Sequence, residues 1–451
     1  MNTTLKSMLV AAAALTAVSS YAQDKATLDL LVKKGLITAE ERAKTLDEAS
    51  QARATSGVNR VFPKEDTTKR LTISGYFQTQ YENYGSSQTS TAGTKTDKIQ
   101  QSNFIMRRLY LELLADVGEG ISGNVVLDMS GNTTSRTGDN FSSLDRAILT
   151  LSSTYGTVDM GYKKATWGYE ESTLSSLFKA SSSKLITVER GITNRYWNEA
   201  ENGRRLGFGA HHTGLFYNTV ANPNGIEFGA AVTNANRDFT SAGKGQNDLA
   251  YFANIVWNNK VSDNEKYAVG VNYGHTPYFD VGNTKNTAVT MSGYNPFVQA
   301  QYFNWTAMAE YFNTKFTDPG TATNDGRKPT GYNATVAYKI NDNWEGVLRY
   351  TDLNTDGRGQ KISDGVRDYD ATTNGVTTTY DKSHSWYLGV NYFFTLSALN
   401  GSQYNGHNAK IQLGWEKSKF EGGTYNVGAA DSNAAQFADV DTVRLQAQVA
   451  F

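Results

Sequence analysis

The sequence predicts an all-β fold: a 16-stranded antiparallel transmembrane β-barrel with long extracellular loops, preceded by a short periplasmic helical module. Three observations carry this. In the last stretch, 440–451, Val443, Leu445, Ala447, Val449 and Phe451 form one apolar row, and Thr442, Arg444, Gln446 and Gln448 form the opposite polar row. Side chains alternate faces on a strand, so one side is suited to lipid and the other to water. The same alternation recurs from Leu71 onward between turn-forming segments. Outside the N-terminus no apolar run approaches the roughly 20 residues a spanning helix needs, and the mean hydropathy is −0.50. A barrel strand gives only every second residue to lipid, so a low average is compatible with spanning.

Residues 1–22 have the pattern of a secretory signal: Lys6 supplies positive charge, 8–18 an apolar core, and Ser20, Tyr21 and Ala22 a small-x-small cleavage site. Residues 23–69 form a helical module and linker. Leu28, Leu31 and Val32 share a helical face, Gly35 suits a C-cap, and Thr38 with Glu41 suits a capping box opening a second helix to about Gln51. Residues 70–451 are then the barrel domain.

The sixteen strands are expected near 71–82, 103–116, 121–130, 143–154, 157–164, 204–213, 225–234, 247–257, 266–276, 292–303, 305–316, 330–340, 343–353, 383–394, 408–420 and 439–451. An even number returns both ends to one side of the membrane. Short connections (116–121, 154–157, 303–305, 341–342) interleave with long ones (83–102, 165–203, 317–329, 354–382, 421–438). Two intended short turns, 213–225 and 395–407, are long for that plan. The driving force is backbone satisfaction: hydrocarbon offers no partner for N–H or C=O, so every strand pairs and no edge is left. A soluble all-β protein is the competing fold, disfavoured because the second row of nearly every strand is polar.

The chain has 451 residues with no cysteine, and 43 basic residues balance 44 acidic ones for a net charge of −1. That excludes a disulfide framework, thiolate metal sites and thiol catalysis. No bulk field recruits nucleic acid or anions, so selectivity has to come from local placement. His211 and His212 are adjacent on a predicted strand and point to opposite faces, and only three other histidines exist, which argues against a histidine metal site. Ser181 and Lys184 fit a Ser-x-x-Lys pattern without its partner motifs. Residues 352–357 (DLNTDG) resemble half a calcium loop, but position twelve is Ser363, and a solvated turn is the simpler reading. No catalytic residue, metal or cofactor is assigned.

The 165–203 connection is the longest, and loops of that length in compact domains are functional or disordered. Trp167, Leu174, Leu177, Phe178, Leu185, Ile186 and Val188 stand beside Lys179, Lys184, Arg190 and Arg195. Such apolar anchors let it fold inward and narrow the lumen. Five stretches then resemble a known family, the phosphate-selective O/P porins: 104–112 (FIMRRLYLE), 144–149 (LDRAIL), 158–172 (VDMGYKKATWGYEES), 188–191 (VERG) and 202–207 (NGRRLG). The resemblance spans roughly residue 70 to the end and leaves the helical module outside. It implies a trimeric sixteen-stranded channel in a bacterial outer membrane, with inward-folded loops and basic residues that pass small inorganic or organic anions. Strand parity turns Arg108, Arg146, Lys163, Arg205, Arg349 and Arg444 to the lumen, and Arg190 joins them from the loop. Parity also places Leu206, Phe208 and Ala210 outside with His211 inside. Arg suits phosphate-like oxyanions through its bidentate fork.

Competing readings stand beside it. Glu112, Asp128, Asp159, Glu310 and Glu345 share the lumenal parity, so paired charges and non-selective diffusion are the main alternative. Inward Tyr110, Tyr387 and Phe393 give a sugar-preferring channel a weaker claim. A barrel enzyme or a structural envelope tether are the alternatives from other classes, and neither has an organised set of residues behind it.

Overall fold

The computed structural model describes residues 70–90, 92–130, 144–175, 183–198, 206–209, 211–235, 249–279, 289–317, 326–367, 369, 378–394, 406–425 and 435–450, with 32–34, 38 and 40. The signal, nearly all of the helical module, Arg205 and Phe451 lie outside the described residues.

The strands are β1 (Arg70–Ser90), β2 (Lys95–Gly118), β3 (Ile121–Asp128), β4 (Leu144–Ser153), β5 (Gly156–Lys164), β6 (His211–Thr219), β7 (Ile226–Asn234), β8 (Leu249–Ser262), β9 (Glu265–Phe279), β10 (Val289–Tyr302), β11 (Trp305–Thr317), β12 (Thr330–Lys339), β13 (Trp344–Asn354), β14 (Thr378–Thr379), β15 (Lys382–Phe393), β16 (Ala409–Glu421), β17 (Thr424–Tyr425) and β18 (Ala435–Ala450). Short β14 and β17 pair with each other outside the wall, and the other sixteen close into one barrel in which β1 meets β18. Every neighbouring pair is antiparallel, and closure runs from Tyr76 opposite Ala450 to Ser90 opposite Ala435. No edge remains among the wall strands, as a hydrocarbon setting demands.

Alternation is sharp. Leu348, Leu388 and Leu445 are 47, 58 and 45% exposed on the outer surface, while their neighbours Arg349, Tyr387 and Gln446 are at most 3% exposed. Outward Tyr and Trp such as Trp257, Trp305, Tyr332, Tyr338, Trp344 and Trp386 cluster toward the strand ends, where membrane-interface aromatics belong.

Three expectations need correction. The sixth strand begins at His211 and not near 204, so Leu206 and Phe208 are buried inside and do not face lipid. Leu215 is outward on β6, which gives inward parity to His212 and takes it from His211. Arg205 lies outside the described residues, so its expected lumenal placement stays a proposal, and the turn after the sixth strand is shorter than expected, running 219–226. Second, the expected long connection 83–102 is a tall hairpin, with β1 and β2 paired up to Thr89 opposite Lys95. Its residues are polar on both faces, so alternation could not reveal it. Third, the lumenal face is not uniformly polar. Inward Phe216, Phe252, Met291, Phe312 and Phe316 join Trp167, Trp197 and Phe208 in one apolar cluster inside the barrel.

Candidate functional site: an inward loop and its arginines

Burial of that apolar cluster explains why the described residues of this segment (165–175, 183–198 and 206–209) fold inward. Trp167 packs edge-on against Phe208 at 4.8 Å, and Trp197 lies 5.1 Å from Phe312 of β11. The segment carries a π-helical turn (Glu170–Ser175) and a short helix α1 (Ile192–Asn198). Both are tied to Glu310 of β11, which accepts from the Tyr169 amide at 2.7 Å and from Asn194 Nδ2 at 2.7 Å.

Between them, Ser183 to Glu189 lies along the inner wall, its backbone held by side chains of four strands. Gln448 donates to the Ser183 carbonyl at 3.1 Å, Lys410 and Gln412 to Leu185 at 2.6 and 3.2 Å, and Asn391 to Ile186 at 2.8 Å. Arg349 Nη1 donates to the Glu189 carbonyl at 2.7 Å, and the Val188 amide donates to Tyr387 Oη at 3.1 Å. Tyr387 lies flat against the wall because Gly389 and Gly414 leave room: a Cβ on Gly414 would sit 2.4 Å from its ring. Tyr387 is thus a seat for the loop and not part of an aromatic slide.

The charged groups gather where this loop meets the wall. A β-bulge after Gln78, which opposes Arg108 while Thr79 opposes Met106, inserts Arg107 as an extra residue. Both Arg107 and Arg108 are consequently buried. Arg107 grips Glu189 through Nε to Oε1 and through Nη2 to Oε2 at 3.1 Å, and Arg367 Nε lies 3.7 Å from the same carboxylate. Arg190 and Lys164 pair with Glu171. Arg349 meets Glu170 at 3.3 Å and Glu416 at 3.2 Å, and Arg444 meets Glu82 at 3.4 Å and Glu416 at 3.9 Å. Arg108 donates to Gln78 at 2.7 Å, and Arg195 to the Gly365 carbonyl of helix α2 (Ile362–Gly365) at 3.0 Å.

The field at Glu189 and Arg190 is positive. Burial alone would raise the Glu189 carboxyl, but Arg107, Arg367 and Arg108 outweigh it and hold the group well below the usual carboxylate range. The charge on Arg190 is disfavoured by burial and then by Arg108, Arg367, Arg107 and Arg195. An incoming anion would relieve that repulsion.

Of the residues picked from sequence, Arg108, Arg190, Arg349 and Arg444 come together around the loop. Arg146 is buried on β4 and Lys163 on β5, where Lys163 pairs with Asp159 and lies 4.8 Å over the Phe216 ring. Arg107 was missed because parity assumes an unbroken ladder, and Arg367 because nothing in sequence says that the residues around 362–367 reach inward. The turn at 352–357 is organised by Asp381, which accepts from Thr355 Oγ1 at 2.5 Å and the Gly357 amide at 2.6 Å. Among the described residues no group of three or more His, Asp or Glu is arranged to hold a metal.

A family model described as phosphate-selective porin O and P matches residues 77–451. No curated protein matches. Among solved structures, the anion-selective porin from Comamonas acidovorans aligns with a TM-score of 0.51 at 14% identity, over 84% of this chain and 99% of that one. The outer membrane channel DcaP of Acinetobacter baumannii aligns at 0.49 and 13% identity, over 86 and 99% of the two chains. At 14% identity the likeness to the Comamonas porin speaks to the barrel fold alone.

Proposed function

From the premise that the chain belongs to the phosphate-selective porin O and P family, we propose that its lumen prefers anions and that the inward loop sets the preference. The protein is a water-filled channel of the bacterial outer membrane that small hydrophilic solutes cross by passive diffusion. The inward loop narrows the path, and Arg107, Arg108, Arg190, Arg195 and Arg367 gather about Glu189. A cationic ring in a low-dielectric wall lowers the barrier for anions because field lines concentrate there. No bond is made or broken in this passage. The observation that carries the reading is the convergence of guanidinium groups from β2, the loop and the α2 region on the single carboxylate Glu189 and its neighbour Arg190.

The test is the reversal potential in a salt gradient. Replacing Arg108, Arg190 and Arg367 together with Gln is expected to move it toward cations, and phosphate block of chloride current then shows whether phosphate is held at the site. An unmoved reversal potential removes these residues from the selective point. The second reading, non-selective diffusion, is favoured by the five glutamates Glu82, Glu170, Glu171, Glu189 and Glu416 set among the arginines. It predicts a wild-type reversal potential near zero.

We further propose assembly into a homotrimer through the β3–β4 sector. The outward residues there are Ile121, Val125, Leu149 and Leu151, with no aromatic among them, whereas belt aromatics line β8 to β16. Aromatic belts mark contact with lipid headgroups, so a stretch without one is suited to protein. Native mass spectrometry of Leu149→Arg is expected to show monomer.

A further inference from the structure

We infer that the outer face formed by β13, β15, β16 and β18, just above the lipid-facing band, is a docking surface for the phosphorylated glycolipid headgroups of the outer leaflet, bridged by divalent cations. The inference rests on the membrane embedding described above and concerns the outside of the wall, not the lumen.

Strand register defines the surface. Tyr350, Trp386, Lys417 and Asp441 are cross-strand neighbours in one row. The next row outward is Asp352, His384, Lys419 and Asp439, and the next is Asn354, Lys382, Glu421 and Phe437. Directly paired residues on one face have Cβ atoms about 5 Å apart, so these rows make a continuous patch. All of its charged residues have the parity of the lipid-facing Leu348, Leu388, Leu413 and Leu445 below them. The change from apolar to charged is abrupt and occurs right after Tyr350, Trp386 and Trp415, the aromatics expected at headgroup depth.

Composition then selects the occupant. Lys382, His384, Lys417 and Lys419 face Asp352, Glu421, Asp439 and Asp441 in near alternation. Lys419 meets Glu421 at 2.8 Å and lies 5.3 Å over the Phe437 ring, yet its side chain is still 41% exposed. A surface of one sign would attract simple counter-ions. An alternating one matches a phosphorylated headgroup layer that carries its own divalent cations: ammonium groups meet phosphate directly, and each carboxylate meets phosphate through a shared cation. At the corresponding end of β8 the outward residues are instead Leu249 and Tyr251.

The experiment uses the full-length exported protein in detergent with purified lipopolysaccharide and magnesium, scoring retained glycolipid by native mass spectrometry. Replacing Lys382, Lys417 and Lys419 together with Glu is expected to weaken retention at least tenfold, while the three Arg replacements preserve it. The control reverses Lys260, Lys266 and Lys339, which lie beside the short turns at the opposite end of the wall. It is expected to leave retention unchanged. Chelation of magnesium is expected to weaken wild-type retention several-fold. The inference is overturned if the Glu variant retains glycolipid like wild type, if the control loses it equally, if chelation has no effect, or if inorganic phosphate displaces the glycolipid and so marks a free-anion site. Should the Glu variant not fold, the Gln triple variant carries the same expectation at smaller size. Unitary conductance recorded on the same samples separates this outcome from the channel reading: a conducting protein without glycolipid retention leaves the channel standing and removes the docking surface.

Discussion

Arg107 and Glu189 form a two-pronged ion pair that joins the barrel wall to the inward loop, with both side chains no more than 5% exposed. Removing one member of a buried pair strands the other charge, at a cost of about 3–5 kcal/mol. Arg107→Ala is therefore expected to release the loop locally, which would appear as larger and noisier unitary conductance and a lower melting temperature. The Arg107→Met, Glu189→Met double variant strands no charge and is expected to lose less stability than the two single changes added together. Additive losses would mean that the two residues do not act as a pair.

Tyr387 offers a graded test of how the loop is seated. Tyr387→Phe removes only the bond from the Val188 amide, a loss of about 1 kcal/mol. Gly414→Val pushes a branched side chain into a ring that would lie 2.4 Å from even a Cβ, and overpacking of that kind costs about 1–3 kcal/mol. The Gly414 variant is expected to melt at the lower temperature of the two. The reverse order would show that the hydrogen bond matters more than the fit of the ring.

Glu310 supports the loop from the other side. Its carboxylate takes the Tyr169 amide and Asn194 Nδ2, and Glu310→Ala leaves both donors buried without that acceptor. Each such loss costs about 1–3 kcal/mol. Limited proteolysis is expected to cut within 165–209 in this variant at protease levels that leave the wild type whole, and equal resistance would show that the loop is held without Glu310.

Much of this was legible because a transmembrane barrel obeys a period of two almost everywhere. The faces of β12, β13, β15 and β18 follow directly from their residues, as does the inward turn of Arg349 and Arg444. What failed did so where the period breaks. Arg107 is inward through a bulge, which leaves no mark in an apolar–polar pattern. The sixth strand was misplaced because Leu206 and Phe208 alternate like lipid-facing residues, although they are anchors of the loop inside the barrel. An apolar residue facing lipid and one facing a lumenal seat look alike in sequence, and only the position of Trp167, Trp197 and Phe312 separates them. The same ambiguity hid Arg367, since a loop that reaches inward and one that reaches outward can share a composition.

The Glu189 carboxyl is held below the usual carboxylate range by Arg107, Arg367 and Arg108 against the opposing effect of burial. A group with a depressed folded-state value contributes stability that is present above its unfolded value, about 4.3 for Glu, and is lost as pH falls through the folded value. The clamp between loop and wall is thus expected to hold from neutral pH down to about pH 4 and to open only in stronger acid. Unitary conductance recorded in symmetrical salt across that range is the measurement, and Glu189→Gln is the comparison because it cannot titrate. Constant conductance in the wild type down to about pH 4, with a step only below it, is the expected record. A step near pH 6 that disappears in Glu189→Gln would mean that the carboxyl titrates above its usual range, and that the arginines around it do not dominate its environment.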